Sequence, residues 1–389
     1  MNFKYYIPTK ILFGRGQLAN LHKEKLPGTR ALIVTTGGRS VVDNGYLPRT
    51  EEELKAAGCT FVLFNKITAN PDRSEVMDGA ALAKAENCDF IVGLGGGSPI
   101  DAAKAIAVMA TNPGDYWDYM VRGTGGGRPV AVTPLPVVAI TTTAGTGTEA
   151  DPWTVISNAA TGEKFGFGID GTFPVLAVVD PELMLTVPRD YTVFQGFDAL
   201  FHSLEGYLAN IATPISDIFA LKAVSLIAEN LPAAVFDGGD IVARENMALA
   251  NTLSGMVEST SGCISEHALE HILSGVYKNL PHGAGLIMLS VAYFSKIAEK
   301  HTSDDRLVEL AKALGNKNAK TPEDFIAALQ KLQQACGADK LKMSDYGIEK
   351  ERLREFAAAA KTQNALSFRL DPCDLSIADC AEIYERSYR

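Results

Sequence analysis

Phe90-Ile91-Val92-Gly93-Leu94-Gly95-Gly96-Gly97-Ser98-Pro99-Ile100-Asp101-Ala102-Ala103-Lys104 is the stretch that decides the fold. An apolar run of strand length ends in three glycines and passes straight into a helical pattern. Glycine lets a backbone approach a ligand closely. Ser98 is expected to cap the helix with Asp101 three residues on, and Pro99 suits a first helical position. The amides of such a helix start favour an anion, so a diphosphate is the expected occupant. The motif is neither Gly-x-Gly-x-x-Gly nor a Walker loop, so neither generic fingerprint carries the assignment.

Working outward, strands at 31–35 and 60–64 alternate with helices at 51–57 and 74–86, after an extended segment, 5–13, that Gly14 and Gly16 end. Alternation of this kind implies a parallel sheet covered on both faces, with ligands at the carboxyl ends of its strands. A strand at 137–140 leads into Thr141-Thr142-Thr143-Ala144-Gly145-Thr146-Gly147-Thr148-Glu149, a hydroxyl-rich turn suited to a ribose or a phosphate. A further strand pair, 154–157 and 176–179, ends in Asp180-Pro181.

Close to Pro188 the rhythm stops. Helical patterns alone follow, around 191–209, 216–230, 244–258, 266–274, 285–298, 304–314, 322–335, 349–361 and 376–387. The expected fold is therefore an α/β N-terminal dinucleotide-binding, Rossmann-like domain, 1–188, plus an all-α C-terminal metal-binding domain, 189–389.

Composition excludes several classes. The chain has 389 residues, 47% hydrophobic and 21% charged, which is ordinary for a globular protein with a large core. A net charge of -10 without basic clusters argues against nucleic acid. No secretory signal and no run of about 20 apolar residues is apparent, so no membrane partner is expected. The six cysteines, at 59, 88, 263, 336, 373 and 380, form no Cys-x-x-Cys pair and read as free thiols of a cytoplasmic protein.

The helical half carries the metal signal. In Gly196-Phe197-Asp198-Ala199-Leu200-Phe201-His202, Asp198 and His202 lie four apart, on one helical face beside an apolar stripe. His267-Ala268-Leu269-Glu270-His271 puts two imidazoles on one face, and Pro281-His282-Gly283 puts another at a helix start, where the dipole disfavours imidazolium. A carboxylate and three imidazoles from this group suit Fe(II) or Zn(II) rather than calcium or magnesium. The same five residues, 267–271, also fit the His-x-x-Glu-His pattern of inverted zinc peptidases, with Glu270 as base.

Together these motifs resemble the iron-containing (group III) alcohol dehydrogenases over the full length of the chain. The resemblance rests on Gly95-Gly96-Gly97-Ser98 with Asp101 and Lys104, Thr142-Thr143-Ala144-Gly145-Thr146 with Glu149, Asp180-Pro181, Asp198 with His202, His267 with His271, and Pro281-His282-Gly283. It implies that Asp198, His202, His267 and His282 hold the metal, with His271 catalytic and close to the substrate. It also implies that Asn70, Gly96, Gly97, Ser98, Asp101, Thr142, Thr143, Thr146, Val155 and Lys164 line a nicotinamide dinucleotide. The implied reaction is hydride transfer between NAD(P) and a small primary alcohol or aldehyde; a non-redox NAD-dependent synthase of the dehydroquinate type is the rival within the wider superfamily.

Two positions depart from the family pattern. Members that prefer NAD often carry an Asp after the first strand, where this chain has Thr36-Gly37-Gly38-Arg39-Ser40, similar to the turns of NADP-using butanol dehydrogenases. NADP is therefore expected over NAD, with Gly37, Gly38, Arg39 and Ser40 at its 2'-phosphate. The segment between His271 and His282 lacks the proline that often follows the second histidine. The extended N-terminal segment offers pairing across a homodimer.

Overall fold

A computed structural model describes residues 2–389, which cluster into two compact units, Tyr6–Thr186 and Val187–Arg389, with residues 2–5 belonging to the second. The first unit runs β1 (Lys10–Phe13), β2 (Arg30–Thr36), α1 (Ser40–Asp43), α2 (Tyr46–Ala56), β3 (Thr60–Ile67), α3 (Arg73–Ala85), β4 (Phe90–Gly95), α4 (Gly97–Thr111), β5 (Val137–Thr141), β6 (Thr154–Asn158), β7 (Glu163–Phe167) and β8 (Leu176–Val179). Six strands form one parallel sheet in the order β1-β8-β5-β4-β2-β3. Ile91, Val92, Leu94, Val138, Ala139 and Ile140 are all fully buried, as expected where helices cover both faces.

The chain leaves β2 toward β3 on one side and returns through α3 to β4 on the other, so the order reverses between β2 and β4. Ligands of open α/β sheets bind at such a reversal, outside the carboxyl ends of the strands. The 37–40 turn, the 95–98 turn and the 142–148 turn follow three adjacent strands, β2, β4 and β5. One expected pairing is corrected. β6 pairs antiparallel with β7, a strand the pattern did not reveal, while β8 lies in the main sheet between β1 and β5.

The second unit consists of α5 (Arg189–Leu208), α6 (Pro214–Phe236), α7 (Ile241–Ser261), α8 (Ser265–Val276), α9 (His282–Glu299), α10 (Asp304–Ala313), α11 (Pro322–Cys336), α12 (Leu353–Gln363), α13 (Ala365–Phe368) and α14 (Ile377–Ser387). At its centre α5 packs on α6, α7 and α9, and α8 on α9. Phe197, Leu200, Phe201 and Leu204 are fully buried, which is the apolar stripe that holds α5 in this core. By length and composition alone α6 is apolar enough to cross a membrane, with a mean hydropathy of 1.5 over its best window, 44% of which is buried in the helical unit.

Candidate metal centre and dinucleotide site

Three helices bring the expected metal ligands together. Asp198 and His202 come from the middle of α5, His267 from the first turn of α8 and His282 from the first residue of α9. Asp198 Oδ1 lies 3.8 Å from His202 Nε2, 3.6 Å from His267 Nε2 and 3.6 Å from His282 Nε2. The His202 ring stacks on that of His267 with centroids 4.5 Å apart.

What turns two of these imidazoles, those of His267 and His282, inward is a second set of carboxylates. Glu205, one further turn along α5, bonds Nδ1 of His267, and Glu270 bonds Nδ1 of His282. Both glutamates are fully buried, and Ser274 Oγ donates to Glu270 Oε2 at 3.1 Å. A carboxylate only accepts, so each Nδ1 carries the proton and each Nε2 presents a lone pair to the centre. The start of α9 must come close for this to happen. A Cβ on Gly283 would stand 2.2 Å from the Phe194 carbonyl oxygen, and one on Gly285 2.7 Å from Glu270.

Asp198 Oδ1 and His267 Nε2 are buried and have no hydrogen-bond partner. Acceptors facing one another across 3.6 Å in a buried site need a cation between them, and ligand atoms about 2.1 Å from a common ion are spaced about this far apart. Burial alone would raise the Asp198 carboxyl, but His202, His282 and His267 hold it well below the usual carboxylate range. Burial disfavours imidazolium at His267, whereas Cys263, Glu205 and Asp198 favour it and prevail. A proton and a metal ion thus compete for one lone pair, and the residues fit a divalent metal with a nitrogen and oxygen donor set.

His271 sits one turn beyond His267 at the edge of the cluster, its ring 5.1 Å from that of His282 and 6.2 Å from that of His267. The peptidase pattern is not realised. Its base, Glu270, is fully buried and holds the His282 ring, with no face toward a water. Glu205 and the true partner of Glu270 escaped the sequence reading; the only local signal was the spacing of Asp198, His202 and Glu205 along one helical face.

In the α/β unit the glycine and threonine turns interlock. A Cβ on Gly96 would meet the Thr143 side chain at 3.0 Å, and one on Gly97 would meet Thr146 at 2.5 Å. Gly95 has φ +139°, a conformation few other residues adopt. Thr142 N donates to Gly95 O at 2.9 Å, tying the two turns by backbone. The expected cap is corrected. The helix begins at Gly97 with Gly96 as N-cap and no side-chain cap, so neither Ser98 nor Asp101 caps it.

Asp101 instead fastens α4 to the segment beneath the turns. Its oxygens accept from Thr148 Oγ1 at 2.6 Å and from Val155 N at 2.8 Å. Fully buried Lys104 donates to Thr148, Trp153 and Asp151 nearby. Lys164 stands on β7 opposite Ser157 of β6, and Asn70 has φ 56° in the loop that Ser157 N reaches through Pro71 O. At the end of β2, Gly37 N donates to Ile67 O at 3.0 Å and Ser40 opens α1; the exposed Arg39 guanidinium pairs with Asp43 at 2.9 Å.

The family model described as iron-containing alcohol dehydrogenase matches residues 8–181, and that of the Fe-containing alcohol dehydrogenase family C-terminal domain matches 192–388. The chain is similar to 1,3-propanediol dehydrogenase of Klebsiella pneumoniae, 33% identical over 94% of each chain. It is also similar to choline dehydrogenase of Bacillus subtilis strain 168, 38% identical over 70% of this chain and 67% of that one. Among solved structures, an archaeal halo-thermophilic alcohol dehydrogenase from a Red Sea brine pool superposes with a TM-score of 0.94 at 33% identity, covering 100% of this chain and 99% of the other.

Proposed function

The chain belongs to the iron-containing alcohol dehydrogenase family, an NAD(P)-dependent oxidoreductase of alcohols and aldehydes, and on that premise we propose that Asp198, His202, His267 and His282 hold its metal. The observation that carries the assignment is the pair of buried, unpartnered acceptors, Asp198 Oδ1 and His267 Nε2, facing each other. When bound, the ion supplies Lewis-acid polarisation of the alcohol or carbonyl oxygen, and the dinucleotide accepts or donates the hydride. Iron is the family's metal; the same donors accept zinc.

The chain's own residues do the rest. Glu205 and Glu270 fix two imidazoles so that their Nε2 lone pairs stay aimed at one point. His271, at the rim of that point, carries the hydroxyl proton toward solvent. The uncapped first turn of α4, with Gly96, Gly97 and Ser98, holds the diphosphate, and Thr142, Thr143 and Thr146 hold the ribose beside it. Asn70, Val155 and Lys164 complete that wall, with Asp101 bracing it from below through Thr148 and the Val155 amide. Arg39, with Gly37, Gly38 and Ser40, receives the 2'-phosphate of NADP; its exposure and the absence of an acid directly after β2 support this preference.

The substrate is a short primary alcohol or its aldehyde. Similarity to one enzyme named for a diol and another named for choline supports a class that tolerates polar substituents. A panel of short alcohols and aldehydes, run with NADP(H) and NAD(H) on protein reconstituted with Fe(II) or Zn(II), tests the assignment by the absorbance of the reduced cofactor. Turnover that needs the metal is the expected result. Full turnover by metal-free protein would overturn it.

A further inference from the structure

Among the carboxylates around the metal ligands, Glu258 differs in where it points and in how far it is exposed. Glu205 and Glu270 hold the Nδ1 atoms of their histidines and have no exposure, while Asp198 is 6% exposed. Glu258 comes from the last turn of α7, which packs along α5, and its Oε2 lies 3.7 Å from His202 Nε2. That is the same nitrogen that faces Asp198 Oδ1 at 3.8 Å. Glu258 therefore borders one of the donor atoms, His202 Nε2, and its side chain is 15% exposed, more than that of Asp198, Glu205 or Glu270.

A carboxylate so placed discriminates by charge. It attracts a cation brought next to the reacting oxygen and repels an anion, and partial burial strengthens both effects relative to open solvent. It has no comparable effect on a neutral chain. Resting on the alcohol dehydrogenase reading above, we propose that Glu258 is a specificity-determining residue that favours alcohols and aldehydes bearing an ammonium group two or three carbons from the reacting oxygen over neutral molecules of the same shape. Negatively charged alcohols are disfavoured by the same contact.

The test uses two isosteres, 2-(trimethylammonio)ethanol and 3,3-dimethylbutan-1-ol, which share size and shape and differ in charge. The quaternary nitrogen has no lone pair, so it cannot ligate the ion. Metal-loaded wild type is expected to prefer the cation about tenfold in kcat/KM, and also in Kd measured by calorimetry. Glu258→Gln is expected to narrow both preferences to about twofold with metal content unchanged, and Glu258→Asp, which keeps the charge, to retain most of them. Equal handling of the two isosteres by wild type, an undiminished preference in Glu258→Gln, or loss of metal from that variant would each overturn the inference, the last by making Glu258 a ligand. Failure to turn over any alcohol despite bound metal and cofactor is a different outcome, one that would sink the dehydrogenase reading itself.

Discussion

Glu270 and His282 are joined on the side of the ring away from the donor cluster: the carboxylate bonds Nδ1 while Nε2 stands 3.6 Å from Asp198 Oδ1. Glu270 thus belongs to the proposed metal centre although it is not one of the four proposed ligands. Replacing it by Gln removes the charge but keeps the shape, and replacing it by Ala leaves the His282 ring free to rotate. Carboxylates of this kind typically contribute 10- to 100-fold to metal affinity. Glu270→Gln is expected to lose about tenfold in metal affinity and Glu270→Ala closer to a hundredfold, read by competition with a chelator. Glu205→Gln should behave like Glu270→Gln, since it holds His267 in the same way.

His202 and His271 should separate cleanly. His202 faces Asp198 within the donor cluster, whereas His271 stands at its edge. His202→Ala is expected to lose metal and turnover while binding the dinucleotide as wild type does. His271→Ala is expected to keep its metal, measured by elemental analysis, and to turn over at least tenfold more slowly. Loss of metal from His271→Ala would place that imidazole among the ligands.

Arg39 is exposed and shared with Asp43, an i, i+4 pair contributing only a few tenths of a kcal/mol, so a phosphate can readily displace the carboxylate. Arg39→Ala should raise KM for NADP about tenfold and that for NAD less than twofold. Asp43→Asn should improve NADP relative to NAD by freeing the guanidinium. Equal effects of Arg39→Ala on both cofactors would rule out the 2'-phosphate contact.

Asp371 links stability to pH. Burial pushes its carboxyl up to about 7, against hydrogen bonds from Ser265, whose amide donates to Oδ1 at 2.9 Å. The native state therefore binds a proton that the unfolded chain gives up near the ordinary aspartate value of about 4. Its stabilising effect is full below about pH 4 and is lost as pH rises toward 7, with a slope of at most about 1.4 kcal/mol per pH unit. Asp371→Asn keeps the acceptor for Ser265 and cannot ionise. Denaturant melts of the two proteins should diverge over this window, the variant losing less stability from pH 4 to pH 7; parallel curves would show that Asp371 titrates normally.

Much of the site was legible because it is local. Asp198 with His202 and the glycine run with its following helix are each one element's geometry, so spacing alone places their side chains on a common face. The partners of the histidines were not legible. Glu270 fits a peptidase base by spacing, and only the approach of α9, permitted by Gly283 and Gly285, reveals that it serves His282. The expected cap at Ser98 failed for a related reason: Asp101 found Thr148 and Val155, residues about fifty positions away, in place of its neighbours.

By itself the sequence determined the two-part architecture, the strand and helix rhythm, and the glycine turn between β4 and α4, because hydrophobic period, glycine and proline act within a few residues of where they stand. Tertiary structure alone decided which strands are neighbours, that β6 leaves the main sheet for β7, and which carboxylates turn the imidazoles inward. The first depends on pairing between strands far apart in the chain and the last on α5, α8 and α9 packing together, and nonlocal packing leaves no fixed spacing in a chain from which to read it.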